Sequence, residues 1–446
     1  MTDRKAVPQE MMKPFDVVVA GAGPAGVAAA VAAARGGARV LLVERYGFAG
    51  GMATAGMVNP FLGHRYTNPK TGAGGSLAGG VFAEVLDRLA ARNALKGAAF
   101  DEAQLRLVYD RMLVEAGVQV LFHALVTGAE VRDGRIEAVH VQTKAGRETI
   151  PATHFIDSTG DADLAAACGV PFEMGRPSDG LCQAMTTSFN MAGVDKDDLF
   201  SAGFRAARER VTEYFLRAKE AGRLDYPFKP WVQFFDYPRP GVLHFNMTHI
   251  WRKDGLNPWD LSAAELEGRR QTRVITDWLV AEVPWFEHAY LDGIATTIGV
   301  RETRRIEGRY RMTREDVLDG RRFDDGIARS AYFIDIHDPT GAPSPHGQPD
   351  GILSRVRDDY KPKDYYEIPF RCLQPTGIEN LLVACRAIST THEAHAATRV
   401  MATMHAVGEA AGRAAAMATR RTVSLADIDG ADVRRELGYL DEPLSF

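Results

Sequence analysis

No stretch of these 446 residues is an uninterrupted apolar run of bilayer length. The nearest one, Val17 to Ala34, is broken by three glycines and a proline and reads instead as a buried strand followed by a helix. The first fourteen residues, MTDRKAVPQEMMKP, hold no apolar core of signal-peptide length, so secretion is not expected. Cysteine is scarce as well. Cys168, Cys182, Cys372 and Cys385 lie far apart, with no Cys-x-x-Cys pair and no Cys/His cluster at ligand spacing. That spacing argues against a disulfide scaffold, a redox dithiol, an iron–sulfur segment or a zinc site, and it fits a reducing, cytoplasmic compartment. There is no charge excess either: 53 Lys and Arg against 58 Asp and Glu give a formal −5. Pairs such as Arg304–Arg305 and Arg321–Arg322 are too short to track a phosphate backbone, so neither nucleic acid nor membrane is an expected partner. Internal repeats and low-complexity tracts are missing.

What remains is the composition of an ordinary globular protein, 46% apolar and 25% charged, too long for one compact core. Phe15 to Val43 reads strand, Gly-rich turn, Ala-rich helix, strand, which is one βαβ unit. A broken Gly-rich stretch, Gly47 to Gly80, follows and suggests loops close to a ligand. Asp101 to Ala116 has helical texture, and alternating residues around the turn Asp133-Gly134 predict antiparallel strands ending near His154. From about Cys168 to Asp364 aromatic-rich strands such as VLHFNMTHI flank a long helix expected to start near Ser262, where Ser262 and Glu265 form a capping-box pattern. A surface loop is expected at Asp338 to Asp350. The buried strand NLLVAC and a helix over Thr398 to Ala418 come last, and that helix carries Gly408 and Gly412 at a spacing suited to close packing against the sheet. The expected division is 14–165 and 368–425 as two parts of a nucleotide-binding domain, 166–367 as a β-rich cap, and 426–446 as a tail. In class this is α/β: a Rossmann-like domain, discontinuous in sequence, with an α+β cap.

The strongest motif is Gly21-Ala22-Gly23-Pro24-Ala25-Gly26, placed between a strand and a helix, with Glu44 ending the next strand. Gly21 permits the tight turn, Gly23 the approach of a pyrophosphate and Gly26 close helix packing. The helix N-terminus, with Pro24 and Ala25, supplies positive potential to phosphates. Glu44 is suited to accept the ribose hydroxyls. The motif alone does not separate FAD from NAD. Gly50-Gly51-Met52, just past the ribose acid, and a last helix entered through Arg399-Val400-Met401, whose N-terminal amides suit an anionic reduced flavin ring, favour FAD.

Taken together, AGAGPAGVAAA, ERYGFAGGMATAG, FIDSTGDADLA, HFNMTHI, IGVRETRRIEGRY, FIDIHDPTG, IPFRCLQP and NLLVACRAISTTHEAHAATRVM resemble, nearly end to end, the FAD-dependent oxidoreductase family related to fumarate-reductase and heterodisulfide-reductase flavoproteins. The resemblance implies a glutathione-reductase-type FAD fold, completed by the C-terminal strand and helix and capped by the middle domain. Besides the residues above, the expected cofactor set comprises Arg45, Ala53, Val126, Gly160, Asp161 and Arg386. Where such proteins usually read Ala-Gly-Arg, this chain has Ala384-Cys385-Arg386, bringing a thiol near the cofactor; a packed, inert cysteine is the simpler reading.

Hydride transfer to or from a flavin needs a base for the second proton and groups that orient the substrate. His337 is ranked first as base, His392 is a second catalytic candidate, and Arg301 is the expected anchor because a guanidinium suits a carboxylate or carbonyl. Were the segment helical, Arg301, Arg304 and Arg305 would share a face, and a structural ion-pair network is the rival reading. His244 and Asn246, two apart on a strand, are expected to face the substrate together, with His64 and His395 as further contacts. The expected function is a dehydrogenation or its reverse on a small polar substrate, with an unidentified electron acceptor or donor and homo-oligomerisation left open. Flavin monooxygenation and a non-catalytic FAD electron relay are the alternatives.

Overall fold

The computed structural model describes residues 14–67, 72, 74–225, 231–341 and 358–440. Its central sheet starts with β1 (Phe15–Ala20), helix α1 (Pro24–Arg35) and β2 (Val40–Val43), and continues with β3 (Gln119–Leu121), β4 (Leu125–Arg132), β5 (Arg135–Thr143) and β6 (Gly146–Asp157). The order is β3-β2-β1-β6, all parallel, and Leu381–Val383 adds a parallel strand on the far side of β6. The first half of β6 instead pairs antiparallel with β5, which pairs with β4. One long strand thus belongs to two ladders.

β1 can be apolar along its whole length because both faces of the parallel sheet are covered. Val17 and Val19 join the cluster under α1, whereas Val18 and Ala20 join Phe155, Leu381 and Val383 on the other face. The alanines of α1 keep it slim, and the helix Met401–Arg421 lies directly against it. A Cβ on Gly408 would meet Ala25 O at 2.0 Å and one on Gly412 would meet Ala29 O at 2.2 Å. These glycines therefore pack on α1 rather than on the sheet.

The middle of the chain forms a second sheet, in the order Phe234–Asp236, Leu243–Phe245, Phe189–Ala192, Tyr290–Ile294, all antiparallel, with its own buried cluster that includes Phe215, Ile275 and Leu279. Those three residues come from two helices, Phe204–Glu220 and Pro258–Glu282; the first was not anticipated. The second starts four residues before the expected Ser262, with Asn257 as its cap and proline in the first turn. Ser262 bonds back to Pro258 O and Glu265 accepts Ile298 N, so neither residue caps the helix. Met312, Ile327, Ala328, Tyr366 and Ile368 share the buried cluster of α1. That part of the expected cap segment packs on the nucleotide half. The predicted loop at Asp338 to Asp350 lies largely outside the described residues.

Candidate active site

A single cavity of about 1110 Å³ runs from the Gly-rich turn of α1 to the second sheet. At one end it is lined by Gly21, Gly23, Pro24, Ala25, Glu44, Arg45, Gly51, Met52, Gly160, Asp161, Cys385 and Arg386. The β1–α1 turn is tight. Gly21 has φ +93°, and a Cβ there would lie 2.5 Å from Ser158 O. Gly26 does not line the cavity; its missing Cβ would lie 1.9 Å from Gly21 O, which makes it the close-packing glycine. Gly23, by contrast, has nothing within 4 Å of where a Cβ would stand. It caps α1 without a side-chain hydrogen bond, and no acid occupies the first turn. The first amides of α1 are therefore open to an anion.

Glu44 is buried, and its two oxygens accept the N–H groups of Ala22 and Tyr46, each at 2.8 Å. Burial pushes the carboxyl up, and those two hydrogen bonds oppose it. Arg386 donates to Asp161, which also accepts Thr303 Oγ1 at 2.6 Å. These residues fit a dinucleotide: amides and an open glycine for the pyrophosphate, a carboxylate for the ribose.

The other end is formed by Arg399, Val400 and Met401, by Tyr332, Asp335 and His337, and by Arg301, Asn246, His249 and His64. Val400 caps the helix Met401–Arg421 with no side-chain bond and no acid in its first turn, a second open set of amides. His337 sits in a chain of contacts: its Nδ1 lies 3.1 Å from His249 Nε2, and its Nε2 lies 3.3 Å from Asp335 Oδ2. The same carboxylate oxygen accepts Tyr332 OH at 2.9 Å and Arg399 Nη2 at 3.4 Å. His249 Nδ1 lies 3.3 Å from Met247 O. Burial, and then the charge of Arg301, hold His337 far below the usual histidine range, at about 3. It is therefore neutral at neutral pH. His64 is likewise pulled down to about 4 by burial. Burial pushes Cys385 up to about 12, so it remains a thiol.

Several expected residues lie off the cavity. Ala53 is buried in the 3-10 turn behind Met52, and Val126 sits on β4 among residues packed on the back of the sheet. His244 is fully buried and bonds Asn190 Oδ1 at 2.8 Å, whereas Asn246 does line the cavity. The strand ends at Phe245, so two-residue alternation does not carry across that end. His392 points into a buried hub, 2.9 Å from Glu302 Oε1, where Arg305 also donates. His395 lies behind the wall, 3.4 Å from Gln183, whose Oε1 accepts the backbone N–H of His337. Arg301, Arg304 and Arg305 share no helical face: Arg304–Ile306 is a strand, Arg304 pairs with Asp163, Arg305 with Glu302, and Arg301 faces the cavity.

The chain matches the FAD dependent oxidoreductase family over residues 16–437 and belongs to it. Its cofactor is FAD, and it is an enzyme of that family. A search of curated protein sequences finds no match. Among solved structures it resembles a geranylgeranyl bacteriochlorophyll reductase-like protein of Thermoplasma acidophilum, at 11% identity and TM-score 0.44, over 96% of this chain and 83% of that one. It also resembles the flavin-dependent brominase Bmp2, at 13% identity and TM-score 0.46, over 95% of this chain and 83% of the brominase. A third is p-nitrophenol 4-monooxygenase from Pseudomonas putida, at 14% identity and TM-score 0.35, over 67% and 70%.

Proposed function

We propose that this enzyme transfers a hydride between a small polar substrate and FAD, with His337 and His249 handling the accompanying proton. The observation that carries the reading is the chain Met247 O, His249, His337, Asp335 on the cavity wall. When bound, FAD supplies the two-electron acceptor or donor. Asp335 takes the His337 Nε2–H, which leaves His337 Nδ1 as the acceptor toward His249 Nε2. Neutral His337 thus has room for one more proton, the one a substrate hydroxyl or amine gives up as its hydride leaves, and His249 shares it across the ring-to-ring contact. Tyr332 and Arg399 hold Asp335 in place, and Arg301 and Asn246 orient the substrate.

The test is anaerobic bleaching of the flavin across a panel of polar metabolites, repeated with His337→Ala. The true substrate bleaches the wild-type flavin, and the variant slows this by roughly 10²–10⁴-fold, the usual worth of a positioned acid–base group. Incorporation of molecular oxygen into a substrate by the reduced enzyme would overturn the reading in favour of monooxygenation. Four separate free thiols support placing the protein in a reducing, cytoplasmic compartment. No described helix is long and apolar enough to cross a membrane.

A further inference from the structure

Among the described residues of the chain's second half three arginines are buried to a similar degree, and two of them face a carboxylate. Arg305 pairs with Glu302, and Arg329 lies 3.9 Å from Glu367. Arg301, only 7% exposed, makes no ion pair among the described residues. One of its five N–H donors is used, by the carbonyl of Ala184. Arg301 is itself part of the cavity wall. The acid whose charge reaches it, Asp335, is already shared by Arg399, His337 and Tyr332. Burial, and then the proximity of Arg399, weaken the hold of Arg301 on its own proton, lowering its pKa to about 9, and it stays cationic at neutral pH. A buried guanidinium without a counter-ion is strongly destabilising to a fold unless a ligand supplies the charge. This corner of the cavity therefore carries two guanidinium charges against one carboxylate, with a neutral His337 beside them.

We propose that the substrate carries a carboxylate and that Arg301 binds it. The inference rests on the hydride-transfer reading only for the word substrate; the binding site itself stands on the geometry. A carboxylate completes the charge balance that Asp335 leaves open, and the planar fork of Arg301 matches it with two parallel N–H donors. Anchored there, the rest of the molecule lies beside His337, in reach of its proton-accepting ring.

The experiment is an anaerobic titration of the FAD-loaded enzyme with acetate, lactate and benzoate, and with acetamide, lactamide and benzamide as uncharged counterparts. Binding is read from the perturbation of the flavin absorbance, which needs no turnover. At least one carboxylate is expected to bind roughly 10- to 100-fold more tightly than its amide, the range for a hydrogen bond to a charged group in place of a neutral one. Arg301→Gln is expected to erase that preference and Arg301→Lys to keep part of it. If every amide binds the wild type as tightly as its acid, the proposal falls without recourse to any variant. It falls equally if Arg301→Gln, still loaded with FAD, retains the preference. Carboxylates that bind through Arg301 while no metabolite ever bleaches the flavin would uphold this inference and sink the hydride-transfer reading. Bleaching by a neutral substrate, indifferent to Arg301, would do the opposite.

Discussion

Glu302 holds together a hub that nothing apolar could replace. Its Oε1 accepts from Arg305 and from His392 Nδ1, and its Oε2 accepts the backbone N–H of Gln183, all away from solvent. Glutamine at this position offers one acceptor and one donor where three donors converge. With its oxygen toward Arg305 and His392, its NH₂ faces the Gln183 N–H, leaving that buried donor unsatisfied. Arg305, 2% exposed, loses its buried counter-charge and keeps only the exposed carboxylate of Glu173, 3.7 Å away. A broken buried pair is worth about 3–5 kcal/mol, and the stranded N–H overlaps with that figure rather than adding to it. Glu302→Gln is thus expected to lower the thermal midpoint by roughly 3–5 °C, followed by circular dichroism and by release of FAD fluorescence. The pH dependence has a definite sign. Burial alone would raise the Glu302 pKa, but the His392 hydrogen bond and the charge of Arg305 overcome it and hold the group at about 2, below its ordinary 4.5. A depressed carboxylate stabilises the fold fully above 4.5 and loses that contribution as pH falls toward 2. The gap between wild type and variant should therefore narrow steadily in acid. A variant within a degree or two of wild type at pH 7, or a gap that widens in acid, would refute the reasoning.

Other expectations follow from the same geometry. His392→Gln should lower stability while leaving the rate of reduction per bound flavin unchanged, since the ring serves the Glu302 hub; a loss of rate in the FAD-loaded variant would return His392 to the chemistry. The rate of flavin reduction should stay level as pH falls through 6.5 and drop only well below it, because His337 must be neutral to accept a proton and its pKa is depressed to about 3; a limb centred at 6.5 or above contradicts this. Gly23→Ala meets no protein atom within 4 Å and should weaken FAD binding while the FAD-free protein keeps its midpoint, measured by calorimetry and differential scanning. Gly408→Ala should do the reverse in kind, destabilising the FAD-free protein itself by about 1–3 kcal/mol as its Cβ is forced against Ala25 O.

The phosphate end of the site was legible in the sequence because its chemistry is local. Gly21, Gly23, Gly26 and Glu44 work within one βαβ unit, where spacing alone dictates which backbone groups face outward. Arg301 and His337, which line the cavity, were picked out for a different reason, as polar groups in segments with a family pattern. His249 was missed, although it lies in HFNMTHI. Its role depends on meeting His337, 88 residues away, and no local spacing encodes that contact. The alternation rule that carried His244 alongside Asn246 failed because it assumes an unbroken strand, and the pairing stops at Phe245. The long helix starts at Asn257-Pro258, a cap followed by proline, and not at the expected Ser262, because proline has no N–H to leave unsatisfied in a first turn.

The segment GVRETRR shows why neighbouring charges of one short stretch take opposite roles. Glu302 and Arg305 neutralise each other inside the wall, and the carbonyls of Thr390 and Gly175 accept the other donors of Arg305. That hub fixes the backbone on the interior side. Thr303 and Arg304 tie the same backbone to Asp161 and Asp163, beside the phosphate end. Arg301 is thereby held at one place on the cavity wall by partners that leave its own charge unmet. A side chain with up to about 2 kcal/mol of rotamer freedom is pre-ordered before any ligand arrives, so little of that entropy is lost on binding. The reading has a checkable consequence. Weakening the hub through Glu302→Gln should loosen carboxylate binding at Arg301 even in molecules that remain folded and FAD-loaded, through a faster dissociation rate rather than a slower association. An unchanged dissociation rate in that variant would mean that Arg301 is positioned by Ala184 alone.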